Sequence, residues 1–185
     1  MHEFILGGQK SGKSRAAEAR AAQWLQGSGQ QAVLVATAQA GDAEMAARIA
    51  RHRVERAQRV PGLATHEEPL ELATALRHGS AAHRLVVVDC LTLWWTQLAM
   101  PLHGPAASPA QLDDACAGLI LALQAARGPV VLVSNEIGLG LAPLSAEARR
   151  CVDALGVLHQ RVAGACRRVT LMVAGCELTV KSGSA

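Results

Sequence analysis

Short apolar runs alternate with longer amphipathic segments along most of the chain. FIL at 4–6, AVLVA at 32–36, LVVV at 85–88 and VVLV at 130–133 are almost uninterrupted in their hydrophobicity. Strands of that kind are buried on both faces, so they predict a mainly parallel sheet covered by helices. Helical periodicity predicts helices over 13–25, 42–57, 70–77, 91–98, 111–126 and 146–165. The glycines at 27–29 stop the first helix, Pro61-Gly62 interrupts the chain, and the proline-rich stretch 101–109 reads as a loop. Two further strands, 169–174 and 178–181, lie too close together for a crossover helix, which predicts an antiparallel hairpin. Strands alternating with helices give an α/β three-layer sandwich. No repeat or linker divides the chain, so residues 1–185 are expected to form a single domain.

The junction of the first strand and first helix carries chemistry. Gly7-Gly8-Gln9-Lys10-Ser11-Gly12-Lys13-Ser14 satisfies G-x-x-x-x-G-K-S, in the strand-then-helix context that a P-loop requires. Consecutive backbone N–H groups wrap phosphates there, and the helix N-terminus favours negative charge. Lys13 is placed to reach the outer phosphates, and the Ser14 hydroxyl to ligate Mg²⁺. Lys10 either adds charge to the cradle or is a solvated loop lysine. Asp89 ends the 85–88 run, as a Walker B acid that holds the ion would, or as a helix cap. Glu136 also follows a strand; a carboxylate there can polarise a nucleophile, bind metal or cap a turn.

The second informative stretch is DAEMAARIARHRVERAQR, 42–59. Arg48, His52 and Arg56 recur at intervals of four and share one helix face, with Arg51, Arg53 and Arg59 close by. Met45 and Ile49 offer an apolar stripe to the sheet. The basic face is either simply solvated or a second grip on polyphosphate beside the cradle. A neutral imidazole at His52 can attack an α-phosphorus and form a phosphoramidate; the bland alternative is a surface or packing histidine.

Composition narrows the classes. The chain has 185 residues, a net charge of +3, three Trp, one Phe and no Tyr. So few aromatics count against base stacking and hence against a nucleic-acid partner. The five cysteines, Cys90, Cys116, Cys151, Cys166 and Cys176, form no C-x-x-C pair, which argues against a thiolate metal site or a disulfide framework. A reducing cytoplasm is the expected setting. The N-terminus does not read as a signal peptide, and no apolar run reaches membrane-spanning length.

Several strings together resemble one family. GGQKSGKS (7–14), AT (36–37), D-x-E-M-x-x-R-I-x-x-H-R (42–53), VVDCLTLW (87–94), VSNEIGLGLAP (133–143) and VAGCELTVK (173–181) are similar to those of the bifunctional adenosylcobinamide kinase / adenosylcobinamide-phosphate guanylyltransferases of cobalamin assembly. The resemblance implies a P-loop, RecA-like fold, a homo-oligomer, and ATP, GTP and Mg²⁺ as the nucleotides and ion. It implies phosphorylation of adenosylcobinamide, then GMP transfer from GTP to adenosylcobinamide phosphate through a guanylylated histidine. That histidine falls on His52. Nucleotide contacts fall on Gly7 through Ser14, Thr37, Arg53, Arg56, Glu67 and Asp89. The chain departs from the family pattern at Val35, Leu63, His159 and Cys176.

Overall fold

The structure is a computed structural model, and residues 2–183 are described. Its strands are β1 (His2–Gly7), β2 (Gln31–Ala36), β3 (Leu63–Glu67), β4 (Arg84–Asp89), β5 (Val130–Asn135), β6 (Arg168–Val173) and β7 (Cys176–Ser182). The helices are α1 (Lys13–Trp24), α2 (Ala43–Arg59), α3 (Leu72–Gly79), α4 (Leu91–Ala99), α5 (Pro109–Gln124) and α6 (Ala146–Ala165). The strands form one seven-stranded sheet in the order β3-β2-β4-β5-β1-β6-β7. Every neighbouring pair is parallel except β6–β7, the expected antiparallel hairpin. Its turn places Ala174 and Gly175 at φ 51° and 82°, both left-handed, as a tight hairpin turn demands.

The two faces of the sheet are covered unequally. Phe4, Val35, Val86, Val88 and Leu132 pack beneath α3, α4, α5 and α6 in the larger core. Ile5, Leu34, Val87, Val131 and Val133 meet α1 on the other face. Helix α1 presents Ala16, Ala17 and Ala21, whose small side chains let its backbone lie close on the sheet. Helix α5 starts two residues before its expected beginning. Ser108 and Gln111 form a reciprocal capping box and Pro109 occupies the first turn, where its missing N–H costs nothing.

Two expectations are corrected. The hydrophobic pattern announces no strand between 61 and 70, yet β3 pairs there in parallel with β2, from Ala32↔Leu63 to Ala36↔Glu67. As an edge strand it is mostly solvent-exposed, so LATHE carries no apolar run. Helix α2 also does not lay Met45 and Ile49 on the sheet as core. Arg56 is its only buried residue, and Met45 and Ile49 are half-buried on the wall of a cavity. Its apolar positions are too few and too small for a core-facing stripe. Among the described residues, no helix is long and apolar enough to cross a membrane.

Leu132 is fully buried at the centre of the sheet. We expect Leu132→Ala to lower the free energy of unfolding by about 2–5 kcal/mol, measured by urea denaturation. A loss below about 1 kcal/mol would contradict this packing.

Candidate active site

Parallel strands deliver their C-terminal ends to one edge of the sheet, and the site is built there. β1 ends at Gly7, and the loop turns into α1 through Gly12, whose φ of 101° is left-handed. A Cβ at Gly7 would lie 2.6 Å from both the Met172 carbonyl oxygen and Ser11 Oγ, so only glycine fits. Lys10 is also left-handed, at φ 55°. The far side of the loop rests on the β6–β7 turn, where the Gly175 N–H donates to the Ser11 carbonyl at 3.0 Å.

Lys13 is buried, and its Nζ donates to the Gly8 carbonyl at 2.6 Å. Burial lowers the pKa of its ammonium, while the nearby Cys90 and Asp89 act the other way. Burial likewise raises the pKa of the Asp89 carboxyl; a hydrogen bond from Ser14 and the charge of Arg56 oppose the shift. Ser14 and Asp89 are therefore adjacent oxygen donors, the hard ligand type that Mg²⁺ takes alongside substrate phosphates and water. They fit that ion. Among the described residues, no group of three or more His, Cys, Asp or Glu side chains gathers as an alternative metal centre.

A cavity of about 930 Å³ lies between the phosphate loop and α2. Gln9, Lys10, Ser11, Gly12, Lys13, Ser14 and Asp89 line one side of it; Arg48, His52, Arg53, Arg56 and Glu67 line the other. The two motifs, far apart in sequence, thus face one space. Asp42 caps α2 by accepting from the Met45 N–H at 2.7 Å. Charge holds the helix down. Arg59 pairs with buried Glu18 of α1 through Nε at 2.7 Å and a second guanidinium nitrogen at 3.2 Å. Hydrogen bonding to Glu18 raises the pKa of this guanidinium further. Arg53 pairs with Glu67, and Arg56 donates to Thr65 Oγ1 at 3.4 Å.

Gly7 and Gly8 belong to the loop but do not line the cavity, and Thr37 does not reach it either. Thr37 has no exposed surface. Its Oγ1 donates to the Cys90 carbonyl and accepts from the Cys90 N–H, both at 2.8 Å, and its own N–H donates to the Asp89 carbonyl at 3.1 Å. Thr37 therefore fixes the Asp89-Cys90 backbone. Glu136 takes the capping alternative: its Oε1 accepts from the Gly138 N–H at 2.6 Å. Glu18, Arg59 and Asn135 also line the cavity; Arg59 belongs to the basic stretch and Asn135 to the VSNEIGLGLAP string, whereas Glu18 carries no motif signal of its own. The four-residue step from Ser14 to Glu18 on α1, which puts both on one helix face, was the available clue to Glu18.

Residues 3–180 match the model of the cobinamide kinase / cobinamide phosphate guanyltransferase family. The chain belongs to that family. It is 47% identical over 181 residues to the bifunctional adenosylcobalamin biosynthesis protein CobP of Pseudomonas aeruginosa, covering 98% of each chain. It is 36% identical over 190 residues to the CobU protein of Salmonella typhimurium, covering 96% of this chain and 98% of that one. Among solved structures, the flagellar accessory protein FlaH from Methanocaldococcus jannaschii superposes with a TM-score of 0.52 at 12% identity, over 98% of this chain and 78% of that one. That likeness shows the P-loop, RecA-like fold alone.

The Arg59–Glu18 pair suggests a direct test of how α2 is held. Charge-assisted hydrogen bonds contribute about 1.5–3 kcal/mol, so Arg59→Ala should speed amide exchange along α2 by about tenfold or more. Exchange in β4 and β5 should stay unchanged. Unaltered α2 exchange would mean that another contact holds the helix.

Proposed function

We propose that this single cavity houses both transfers of the family, with Lys13 serving the phosphoryl step and His52 the nucleotidyl step. The observation that carries the reading is that the phosphate loop, Asp89 and His52 line one continuous space. The enzyme phosphorylates adenosylcobinamide with ATP or GTP, then transfers GMP from GTP to adenosylcobinamide phosphate, giving adenosyl-GDP-cobinamide. A cytoplasmic, homo-oligomeric enzyme belongs to the same proposal.

In the first step the substrate hydroxyl oxygen attacks the γ-phosphorus in line. The bond to the β,γ-bridging oxygen breaks, the nucleoside diphosphate leaves and the hydroxyl proton is released. Gln9 through Ser14 hold the phosphates, and the Lys13 ammonium offsets charge on the departing oxygens. Ser14 and Asp89 would hold Mg²⁺, which supplies further charge neutralisation when bound.

In the second step a neutral His52 ring nitrogen attacks the α-phosphorus of GTP and pyrophosphate leaves. A phosphate oxygen of the corrinoid substrate then attacks that phosphorus, and the nitrogen–phosphorus bond breaks. Splitting the transfer this way replaces one difficult displacement with two easier ones. Arg48 and Arg56 stand one turn before and one turn after His52, where they counter the phosphate charge. Arg56 is the better placed electrostatically, because burial lowers its pKa and increases the gain from meeting an anion.

Incubation with α-labelled GTP should leave acid-labile label on the protein, and a chase with adenosylcobinamide phosphate should release it. His52→Ala should abolish labelling yet keep adenosylcobinamide phosphorylation within about threefold. GTP consumption with no label on the unaltered enzyme would rule out the His52 assignment.

A further inference from the structure

Resting on the phosphoryl-transfer reading above, we infer that Asn135 is a further catalytic residue whose carboxamide contacts the transferred phosphoryl group, and that Thr92, Ser134 and His159 are positioning residues that act through it. The first support is placement. Strand β5 lies between β4, which ends in Asp89, and β1, which opens the phosphate loop. Asn135 is register partner to Gly7 and lies two residues beyond Val133, the partner of Asp89. Its residue lines the same cavity as Lys13 and Asp89. A carboxamide offers two N–H donors without adding charge, which suits contact with a phosphoryl oxygen between a lysine and a carboxylate.

The second support is how Asn135 is held. Its backbone N–H donates to Thr92 Oγ1 at 2.8 Å. Thr92 Oγ1 lies 2.9 Å from Ser134 Oγ, and Ser134 Oγ lies 2.8 Å from His159 Nε2. One assignment uses each proton once: Asn135 N–H to Thr92, Thr92 O–H to Ser134, Ser134 O–H to His159 Nε2. It requires a neutral imidazole with its hydrogen on Nδ1. Burial favours a neutral ring by lowering the pKa of His159, and the Nδ1–H tautomer is the one that leaves Nε2 free to accept from Ser134. Ser134 has no exposed surface, His159 is nearly enclosed, and the Phe4 ring centroid stands 5.5 Å from the imidazole centroid. Polar groups there find few partners besides one another, so breaking one link leaves the next unpaired. The chain joins α4, β5 and α6 directly behind the cavity. Sheet packing alone does not call for a hydroxyl, a hydroxyl and an imidazole in a row at this depth.

The test measures ATP-dependent phosphorylation of adenosylcobinamide by the full chain, with thermal unfolding as a control. Asn135→Ala should lower kcat by about 30-fold or more, as loss of a transition-state donor does. Its KM for ATP should stay within about threefold. Thr92→Val should lower kcat by about tenfold, and Thr92→Ser should restore it. In the Asn135→Ala background, Thr92→Val should change kcat by less than about twofold, because its effect passes through the missing side chain. Should Thr92→Val not fold, Ser134→Ala takes its place in the same cycle. An Asn135→Ala kcat within about threefold of the unaltered enzyme overturns the assignment. So does a Thr92 effect that multiplies in full on top of Asn135→Ala. An unaltered chain without kinase turnover overturns both this assignment and the functional reading beneath it.

Discussion

Parallel pairing of β1 and β4 with the same central strand, β5, sets the geometry of everything at the active edge. The register places Gly7 beside Asn135 and Asp89 beside Val133, so the phosphate loop and the acid emerge at nearly the same height. A slip of one residue in either ladder would turn buried valines toward the opposite helix layer and move Asp89 off the cavity floor. Because both faces of these strands are packed, such a slip is costly on either side. The site is precise because its scaffold has no second register of comparable stability. Thr37 extends that rule past the end of the strands by fixing the Asp89-Cys90 backbone from β2.

The two walls of the cavity are held by different physics. The phosphate-loop wall is part of the apolar core: α1 buries its alanines, and the loop is backed by Met172 and the β6–β7 turn. The α2 wall has almost no core. It is held to the body by arginine contacts with Glu18, Glu67 and Thr65. Local stability follows buried apolar contact, so the His52 wall is the softer of the two. The same arginines are the groups a polyphosphate would engage. An anion entering the cavity competes with Glu67 for Arg53, and binding and helix position are thereby coupled.

How much of this was legible in the sequence divides along the same line. The apolar strands, their helices, the terminal hairpin and the phosphate loop could all be read, since each writes a local pattern. Strand β3 could not, because an exposed edge strand needs no apolar run and LATHE has none. The stand-off of α2 was also hidden. Periodicity marks Met45 and Ile49 as one stripe but does not say whether a sheet or a cavity faces it. Glu18 carries no motif, and the VSNEIGLGLAP string does not single out Asn135; their importance lies in register and in the partner across the cavity, which only tertiary structure supplies. The family resemblance implies a nucleotide contact at Thr37, whereas its hydroxyl is committed to the backbone of Cys90.

The departures from the family pattern fall in the frame around the site. Val35 is core beneath α3, Leu63 opens β3 against the α1 layer, His159 is the buried end of the chain behind Asn135, and Cys176 is exposed at the start of β7. None of the four lines the cavity. A substitution there alters how loops and strands are supported while leaving the cradle, Asp89 and His52 in place. His159 has the greatest reach, because a hydrogen-bond chain carries its orientation to the cavity wall. An imidazole that accepts at Nε2 can only terminate that chain, so its protonation would reverse the last link and leave Ser134 and Thr92 competing to donate. Burial lowers the pKa of His159 and so favours the neutral ring, the only state in which Nε2 can accept from Ser134 and the chain can run from Asn135 to the imidazole.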